Sequence, residues 1–442
     1  MLTFAELRRR EFARLDEAGV AYLDYTGSAL YGASQLRAHR ELLAANVFGN
    51  PHSDSAPSRA STAAIDAARE RLLRFFGVDS STHDAIFTAN TSAAIKLVAE
   101  SYPFTNASTL LLSADNHNSM NGVREYARRA GATIRVLPLD EELRLRDPEA
   151  QLARASTGLL AYPAQSNFSG VRHPLALVDA AHARGLDVLL DIAAYAPSQP
   201  LSLRDVPADF AALSFYKLFG YPAGLGALIA RREALAKLRR PWFAGGTVLY
   251  ASVAADTHRL RPRHEAFEDG TPDFLGIAAL DAGFNLLEEA QLPRIAAHVA
   301  ALTRTLLDVL TAMPHVRLYG PRHTAARGGA IAFNVCDRNG APIPFAEVEG
   351  RATATGIALR GGCFCNPGAS EAAFGFHAPT LRRCLASLGD AFTPARLAEC
   401  TGRAAGALRA SVGMANDEGD VRRLVEFLES YGSTGIVHVP RT

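Results

Sequence analysis

Short apolar runs that alternate with segments of helical spacing are the feature that most constrains how this chain can fold. Segments with helical spacing occupy Ser92–Tyr102, Met120–Ala130 and Leu175–Arg184. The strand-like runs around and between them are Ala85–Thr88, Thr109–Ser113, Gly158–Tyr162, Val188–Asp191, Phe210–Ser214 and Gly226–Ala230. Because strands that are joined through helices pair in parallel, the alternation predicts an α/β fold with a large, mostly parallel sheet.

The pattern changes after about residue 275, where longer helices dominate. The helix-like segments there are Asp281–Ala290, Ile295–Met313, Phe345–Thr355 and Glu418–Tyr431, and the strand-like ones are Ala330–Val335, Gly356–Arg360 and Leu408–Val412. We therefore predict an N-terminal helical segment at 1–20, a large domain at 21–280 and a smaller α+β C-terminal domain at 281–442.

Composition narrows the possible partners and compartments. A formal net charge of +1 argues against nucleic acid as a partner, and the arginine runs at 8–10 and 239–240 are expected on solvated helix faces. Five cysteines do not form the pattern of a disulfide framework, so a cytoplasmic location is expected. The N-terminus lacks the apolar centre of a secretion signal, and without an apolar run of about 18 residues no membrane span is expected.

Three lysines occur in the chain, and one of them stands apart. Lys96 lies within a helical segment and Lys237 within a charged stretch, so both are expected at the surface. Lys217 follows the run Phe210–Ser214 and precedes a glycine-rich turn. A Schiff base requires a lysine amine, which makes Lys217 the candidate, although a solvated loop lysine is the alternative.

Polar residues at the ends of the strand-like runs fit the same chemistry. The edge of an open α/β sheet where strands end is where ligands bind, and Asp191 ends one apolar run there. A protonated pyridine nitrogen would be a suitable partner for that carboxylate, with a structural ion pair or helix cap as the alternative. Thr91 and Ser92 open a helix after another run, which predicts either a phosphate site or ordinary helix capping.

The segment GGCFCNPG at 361–368 carries two cysteines in a glycine-bounded loop just after Arg360. Arginine charge near a loop cysteine favours a reactive thiolate. A metal site is disfavoured because a single C-x-C lacks the second ligand pair that zinc needs. In an extended segment residues two apart point the same way, so spacing does not distinguish Cys363 from Cys365.

Together these motifs resemble the class V, fold-type-I enzymes that use pyridoxal phosphate (PLP), in the cysteine desulfurase group. Within that group the chain is most similar to the N-terminal domain of molybdenum cofactor sulfurases. The matching stretches are YLDYTGSALYG, FGNPHS, FTANTSAAIKLVAE, DNHNSMNGVRE, YPAQSNFSG, LLDIAAY, LSFYKLFGYPAGLGAL, FEDGTPDFLGIAAL and RGGCFCNPGAS.

The resemblance implies how the cofactor is held. Lys217 would form the Schiff base and move protons, Asp191 would pair with the pyridine nitrogen, and His117 would stack on the ring. Asn167 would lie near the ring hydroxyl. Thr91, Ser92 and Ser214 would bind the phosphate, and Thr271 would reach the phosphate of a neighbouring subunit in a homodimer.

The resemblance also implies a reaction. Arg409, with Arg360 beside it, would bind the substrate carboxylate, and Cys365 would accept sulfur from L-cysteine, leaving L-alanine. Lys217, Cys365 and His117 are thus the expected catalytic residues. Three departures are Gly361-Gly362 in place of a more usual Thr-Gly, Ala194 near the usual position of a glutamine, and Ser370 where sulfurases often have cysteine.

Two other functions remain open from the sequence. One is a different PLP reaction on an amino acid, such as aminotransfer, β-elimination or carbon–carbon bond formation; the other is a non-catalytic sulfur carrier, which would have no need of Lys217, Asp191 and His117. Because the chain ends near the end of the PLP region, we expect no molybdenum-cofactor-binding domain in it. A sulfur-acceptor protein is a candidate partner, and the sequence leaves open whether a partner replaces that domain.

Overall fold

A computed structural model describes residues 2–155 and 157–433 of the chain. Its strands in chain order are β1 Ala21–Tyr22, β2 His83–Thr88, β3 Thr109–Ser113, β4 Thr133–Leu137, β5 Gly158–Pro163, β6 Leu186–Asp191, β7 Phe210–Ser214, β8 Gly226–Arg231, β9 Val248–Ser252, β10 Thr257–Leu260, β11 Val316–Tyr319, β12 Ala330–Val335, β13 Ile357–Ala358, β14 Arg360–Gly362 and β15 Ala407–Ser411.

The helices pack around these strands. In chain order they are α1 Phe4–Glu11, α2 Arg14–Glu17, α3 Ala33–Ala45, α4 Ala56–Phe75, α5 Thr91–Ser101, α6 Asn118–Asn121, α7 Val123–Arg129, α8 Pro148–Leu152, α9 Leu177–His182, α10 Phe215–Phe219, α11 Arg232–Leu235, α12 Phe274–Ala278, α13 Leu280–Ala290, α14 Leu292–Ala312, α15 Phe345–Ala354, α16 Pro367–Phe374, α17 Ala378–Leu388, α18 Pro394–Thr401 and α19 Glu418–Ser433. Short 3₁₀ segments lie at Arg263–Phe267 and Gly389–Ala391.

A seven-stranded sheet in the order β2-β8-β7-β6-β5-β3-β4 forms the centre of the molecule. The pairs from β7 through β4 are parallel, and β8 runs antiparallel to both of its neighbours. The strand-like runs of the sequence correspond to six of these strands, which confirms the predicted α/β fold with a mostly parallel sheet. Because β2, β3, β5, β6 and β7 point the same way, the residues that follow them meet at one edge.

Apolar side chains cover both faces of this sheet, as a parallel sheet requires. One core cluster contains Ile95, Val98 and Met120 from the helices that follow β2 and β3. The other contains Leu190 and Phe215 together with residues of α4, α13 and α14. The sheet is therefore a rigid, doubly covered platform for its carboxyl edge.

A four-stranded antiparallel sheet, β11-β12-β15-β14, carries the C-terminal part of the chain. Its β14 lies at the edge and leads directly into the two-cysteine loop. The short β1 pairs in parallel with β13 in a separate two-stranded sheet, and a bridge between Asp24 and Ser411 connects this N-terminal chain to β15. The domain limits at 20 and 280 stay a prediction, and residues 434–442 of the predicted C-terminal domain lie outside the described residues.

Three of the differences from the sequence prediction have a local explanation. The helix predicted at Met120–Ala130 is two helices, α6 and α7, that meet at Gly122. The strand β4 was missed because it is a partly exposed edge strand with an arginine at its centre rather than an apolar run. The predicted strand Gly356–Arg360 is divided into β13 and β14, which pair with different partners.

Two buried arginines and one disulfide differ from what the sequence predicted. Arg8 is buried and pairs with Asp420, and the side chain of Arg240 is 1% exposed beside Asp269, so neither lies on a solvated face. Buried arginines pair with carboxylates from distant parts of the chain, which composition does not reveal. Cys384 and Cys400 form a disulfide between α17 and α18, although no bridge was expected.

One helix, α14, is long and apolar enough to cross a membrane by length and composition alone. Its buried residues, among them Ile295, Leu302 and Leu306, lie in the main hydrophobic core. Core helices of globular proteins pass the same test of length and hydropathy.

Candidate active site

A cavity of about 190 Å³ opens at the carboxyl edge of the central sheet. It brings together seven of the residues that the sequence singled out, namely Thr91, Ser92, His117, Asn167, Asp191, Ser214 and Lys217. Asn90, Ser119, Pro163, Gln165, Ala193, Ala194 and Tyr216 complete its wall. The edge of the sheet where the strand-end pattern predicts a ligand site therefore carries a cavity lined by these residues.

Lys217 lies in the first turn of α10, directly after β7, so the strand end aims its side chain into the cavity. Burial lowers the pKa of its ammonium group; the charge of Asp191 opposes this effect and that of Arg409 adds to it. A lysine with a lowered pKa is more often the neutral amine, which is the nucleophilic form. Lys96 and Lys237 have side chains that are 65% and 51% exposed, so Lys217 alone fits Schiff-base chemistry.

Asp191 is the last residue of β6, and its Oδ1 accepts a hydrogen bond from the Ala193 amide at 2.9 Å. Its charge acts on both Lys217 and His117. A carboxylate fixed in this way at the cavity wall fits a protonated pyridine ring.

A cluster of hydroxyl groups lies at the N-terminus of α5. The Oγ of Ser214 accepts a hydrogen bond from the Thr91 amide at 2.8 Å and lies 2.6 Å from Thr91 Oγ1. Ser92 Oγ lies 2.5 Å from Ser119 Oγ. Hydroxyls gathered at the start of an 11-residue helix fit a phosphate group.

His117 follows β3 and precedes α6. Its Nδ1 accepts a hydrogen bond from the Ser119 amide at 3.1 Å, so the neutral ring carries its proton on Nε2. Burial lowers the pKa of the imidazole, and the positive charge of Lys217 lowers it further. A neutral imidazole in the cavity wall suits stacking on a flat ring.

The residues of the cavity thus fit PLP on the chemistry of their groups. A buried amine, a fixed carboxylate, a neutral imidazole and a hydroxyl-lined helix start occupy one cavity. These groups match the aldehyde, pyridine nitrogen, ring face and phosphate of that cofactor.

The two-cysteine loop is a tight turn rather than an extended segment, which corrects the sequence argument. The amide of Asn366 donates to the carbonyl of Cys363 at 2.9 Å, and Phe364 and Cys365 have φ of 55° and 56°. Left-handed backbone costs a non-glycine residue about 1–3 kcal/mol, so surrounding contacts must hold this turn. In such a turn residues two apart do not share a direction.

Cys363 and Cys365 are both exposed, and neither lines the cavity. The charge of Cys365 nevertheless acts on Lys217 and Tyr216. Its carbonyl accepts a hydrogen bond at 2.7 Å from the amide of Asn118, the neighbour of His117. Cys365 is therefore at the rim of the cavity.

Asn167 lines the cavity, but its side chain also faces the cysteine loop. Its Nδ2 donates to the carbonyl of Phe364 at 2.6 Å, and its Oδ1 accepts from Asn366 at 3.0 Å. Its carbonyl accepts from Arg409 at 2.7 Å. Asn167 therefore connects the cavity wall, the thiol loop and the arginine.

Arg360 and Arg409 are directly opposite each other on β14 and β15. Like charges in that position repel, and the carboxylate of Asp24 compensates by accepting from both. Asp24 Oδ2 lies 2.5 Å from Arg360 Nη2, and Oδ1 lies 2.8 Å from Arg409 Nη2. Arg409 is buried and Arg360 is half-exposed, and neither lines the cavity.

Thr271 lies in a separate cleft, which Lys96 and Glu100 also line. Its Oγ1 accepts a weak hydrogen bond from Asn50 Nδ2 at 3.4 Å. Within one chain, then, Thr271 is not brought to the Lys217 cavity.

Sequence reasoning missed Asp24, Ser119 and Asn366 as parts of the site. Each lies inside a motif that the sequence had singled out, at YLDYTGSALYG, DNHNSMNGVRE and RGGCFCNPGAS. Proximity to an assigned residue was thus the available signal. Among the described residues no cluster of three or more His, Cys, Asp or Glu could hold a metal ion.

Comparison with curated proteins finds molybdenum cofactor sulfurases. The enzyme of Arabidopsis thaliana is 34% identical, with 96% of this chain and 58% of that protein covered. Molybdenum cofactor sulfurase 3 of Aedes aegypti is 38% identical, with 82% of this chain and 50% of that protein covered. The chain spans little more than half the length of the curated relatives it matches.

Comparison with solved structures supports the predicted fold-type-I architecture. A cysteine desulfurase from Thermococcus onnurineus matches with a TM-score of 0.81 at 24% identity, covering 97% of this chain and 98% of that one. A cystine C–S lyase in complex with cysteine persulfide matches with a TM-score of 0.73 at 21% identity, covering 95% and 99%. At these identities the likeness concerns the fold.

The sequence profile of the class-V aminotransferases matches residues 21–424, which include every residue of the cavity, the cysteine loop and the arginine pair. Together with the parallel sheet and the lysine, carboxylate and hydroxyl groups at its edge, this match places the chain in the class-V aminotransferase family.

Proposed function

We propose that this chain is a PLP-dependent cysteine desulfurase-like enzyme that converts L-cysteine to L-alanine and keeps the sulfur as a persulfide on Cys365. The observation that carries the proposal is a thiol-bearing loop at the rim of the Lys217 cavity, where the Cys365 carbonyl accepts a hydrogen bond at 2.7 Å from the amide of Asn118, the neighbour of the cavity residue His117. Sulfur-transferring names among the relatives and fold neighbours support it.

Seven of the fourteen cavity residues have a role in this proposal. The cofactor, when bound, supplies an electron sink for the substrate carbanion. Lys217 holds the cofactor and moves protons at its Nζ, Asp191 keeps the ring nitrogen protonated, and His117 stacks on the ring. Thr91, Ser92 and Ser214 hold the phosphate, and Asn167 orients the ring hydroxyl.

The sulfur step uses the rim. Arg409, with Arg360 beside it, binds the substrate carboxylate, since a guanidinium fork suits a bidentate carboxylate. The Cys365 thiolate attacks the substrate sulfur, a sulfur–sulfur bond forms, the substrate carbon–sulfur bond breaks, and a proton delivered to that carbon gives alanine. Atoms and electrons balance in this step without a further oxidant or reductant.

The test is to incubate the purified protein with L-cysteine and to measure alanine and the persulfide by mass spectrometry. Cys365→Ala should keep the absorbance of bound cofactor but lower alanine release about 100-fold or more, because the nucleophile is gone. Cys363→Ala, which changes the neighbouring exposed thiol, is the matched control and should lower the rate much less. Turnover at the parental rate in Cys365→Ala would favour another PLP reaction, such as β-elimination.

A homodimer is part of the proposal. Large apolar side chains are exposed on the β9–β10 hairpin and beside it, at Trp242, Phe243, Leu249, Tyr250 and Val253, and patches of this kind mark interfaces. Thr271 lies in the same part of the chain and would complete the phosphate site of the partner subunit. Sedimentation should give a dimer, and Thr271→Ala should weaken cofactor retention. Thr305→Ala, at an exposed position on α14, is the control and should not weaken it. A cofactor-loaded, active monomer contradicts this proposal.

The acceptor of the sulfur is also a proposal. The curated relatives are named molybdenum cofactor sulfurases, and the match covers 58% and 50% of the length of two of them. The proposed acceptor is a separate cytoplasmic protein that takes the sulfur of the Cys365 persulfide. Incubation of the persulfide form with candidate acceptors would identify it by loss of sulfur from Cys365.

A further inference from the structure

The turn that carries Cys365 must be stabilised by contacts with residues outside the turn. Two successive residues, Phe364 and Cys365, have left-handed backbone that side chains with a Cβ rarely adopt. The Phe364 ring contributes to this stabilisation. Arg409 Cζ lies 4.8 Å from the centroid of the ring, and the centroid of the Phe168 ring lies 5.3 Å from it. That contact fixes the ring, and the end of the turn at Asn366 is fixed separately.

The side chain of Asn366 is fully buried and does two things at once. Its Oδ1 accepts from the Ala369 amide at 3.2 Å and so caps α16. Its Nδ2 donates to Asp115 Oδ1 at 2.6 Å and to Asn167 Oδ1 at 3.0 Å. Asn366 Oδ1 therefore caps the helix, and Asn366 Nδ2 connects the turn to the cavity wall.

Asp115 is a fixed acceptor for that nitrogen. It follows β3, is fully buried, and accepts from Ser166 Oγ at 2.7 Å through the same Oδ1. Its Oδ2 lies 2.8 Å from Nε2 of the buried His173. Just beyond Asn366, Gly368 packs so closely that an added Cβ would lie 2.1 Å from the Ala114 carbonyl. The loop is thus docked against the end of β3 over several contacts.

We propose that Asn366 is a positioning residue for the thiol of Cys365: its Nδ2 anchors the strained turn on Asp115 and Asn167, and so keeps the thiol at the rim of the cavity. The effect on turnover rests on the proposed function. The effect on the reactivity of the thiol does not.

The test uses variants that separate the two halves of the amide. Asn366→Asp and Asn366→Ser both keep a good helix-capping oxygen, but the first sets a second carboxylate against Asp115 and the second removes the donor. Ser166→Ala is the control, because it removes another donor to the same Asp115 oxygen. It also removes the acceptor of the Phe168 and Ser169 amides, so it reports what a general loosening beside the turn does while the Asn366 amide is kept. Each protein keeps Cys363 as an internal reference thiol.

Two readouts are compared with the parent protein. The ratio of the iodoacetamide alkylation rates of Cys365 and Cys363, measured by peptide mass spectrometry, should change about threefold or more in both Asn366 variants. The kcat for alanine formation should fall about 10- to 100-fold with KM and cofactor absorbance nearly unchanged, since small misplacement of a reacting group costs that much. Ser166→Ala should leave both readouts close to those of the parent.

The outcomes are distinguishable. Parental readouts in Asn366→Asp and Asn366→Ser mean that Asn366 only caps α16, which overturns the proposal. If Ser166→Ala changes the alkylation ratio and kcat as much as the Asn366 variants do, the effect arises from the surroundings of Asp115. That outcome also overturns the proposal. A changed alkylation ratio in a protein that forms no alanine from cysteine supports the positioning role and rejects the proposed function instead.

Discussion

The cofactor wall and the thiol rim of the site are built in different ways. Thr91, Asp191 and Lys217 stand at or just after the ends of strands of one sheet, so the backbone itself places them. Asp24 and Arg409 come from opposite ends of the chain and meet in a buried pair at 2.8 Å, and hydrogen bonds from Asn118 and Asn167 hold the loop of Cys365. The wall is set by secondary structure, whereas the rim is set by individual polar contacts.

This difference has an energetic consequence. Removing a side chain from the wall should remove chemistry and leave the fold, because the strand ends remain. Removing one partner from the rim leaves a buried charge or an unsatisfied donor, which is costly. Variants at the wall and at the rim should therefore differ in whether they lose chemistry or stability.

Lys217→Ala tests the wall. It should abolish the cofactor adduct that borohydride fixes and lower turnover by about 10³-fold or more, since both the attachment and the proton transfer are lost. Its melting temperature without cofactor should not fall, because the buried amine is disfavoured by desolvation. Lys96→Ala, at a surface position, is the control. Borohydride label found on Lys96 or Lys237 would contradict the assignment.

Asp24→Asn tests the rim. It should lower the free energy of unfolding by about 3 kcal/mol, because Arg409 is left buried without its carboxylate beside a facing arginine. The KM for the amino-acid substrate should rise about tenfold as Arg409 loses its orientation, a change of about 1.4 kcal/mol. Urea unfolding and steady-state kinetics measure the two effects.

Glu289→Gln is the matched control for Asp24→Asn. It breaks a two-contact arginine–carboxylate pair with Arg10 on the surface, where both side chains are 40% or more exposed. Such pairs contribute about 0–1 kcal/mol. Equal destabilisation by the two variants would remove the contrast between a charge pair at the rim and one at the surface.

His117→Gln tests the electrostatics of the wall. Burial and the charge of Lys217 lower the pKa of His117 in the folded chain, so between that lowered pKa and the ordinary value of 6.5 the unfolded chain binds the extra proton. Stability from this group is therefore present above 6.5 and is lost as the pH falls through that window. His117→Gln should reduce the drop in melting temperature between pH 7 and pH 5 by about 1–2 °C.

The control for His117→Gln is His323→Gln, which changes an exposed imidazole. Thermal scans of the protein freed of cofactor at both pH values give the comparison. If the fall in melting temperature between pH 7 and pH 5 is unchanged in His117→Gln, the wall does not desolvate this ring. The same conclusion follows if His323→Gln reduces that fall by an equal amount.

The sequence by itself determined the wall of the site. The apolar runs predicted six strands of the central sheet, with Thr109–Ser113 and Phe210–Ser214 at the same bounds as in the structure. Since parallel strands carry their carboxyl ends to one edge, strand prediction already brought Asp191 and Lys217 together. The scarcity of lysine then identified Lys217 as the Schiff-base candidate, because only one of the three lysines follows a buried strand.

Tertiary structure alone decided the rim. Asp24 is 385 residues from Arg409 in sequence, and no local pattern reports that its carboxylate compensates two facing arginines. The left-handed turn at Phe364 and Cys365 contradicts local preference, so its shape follows from contacts with Asn118, Asn167 and Asp115. Local propensity determines strands and their ends, whereas buried charge pairs and strained turns exist only where distant chain segments hold them.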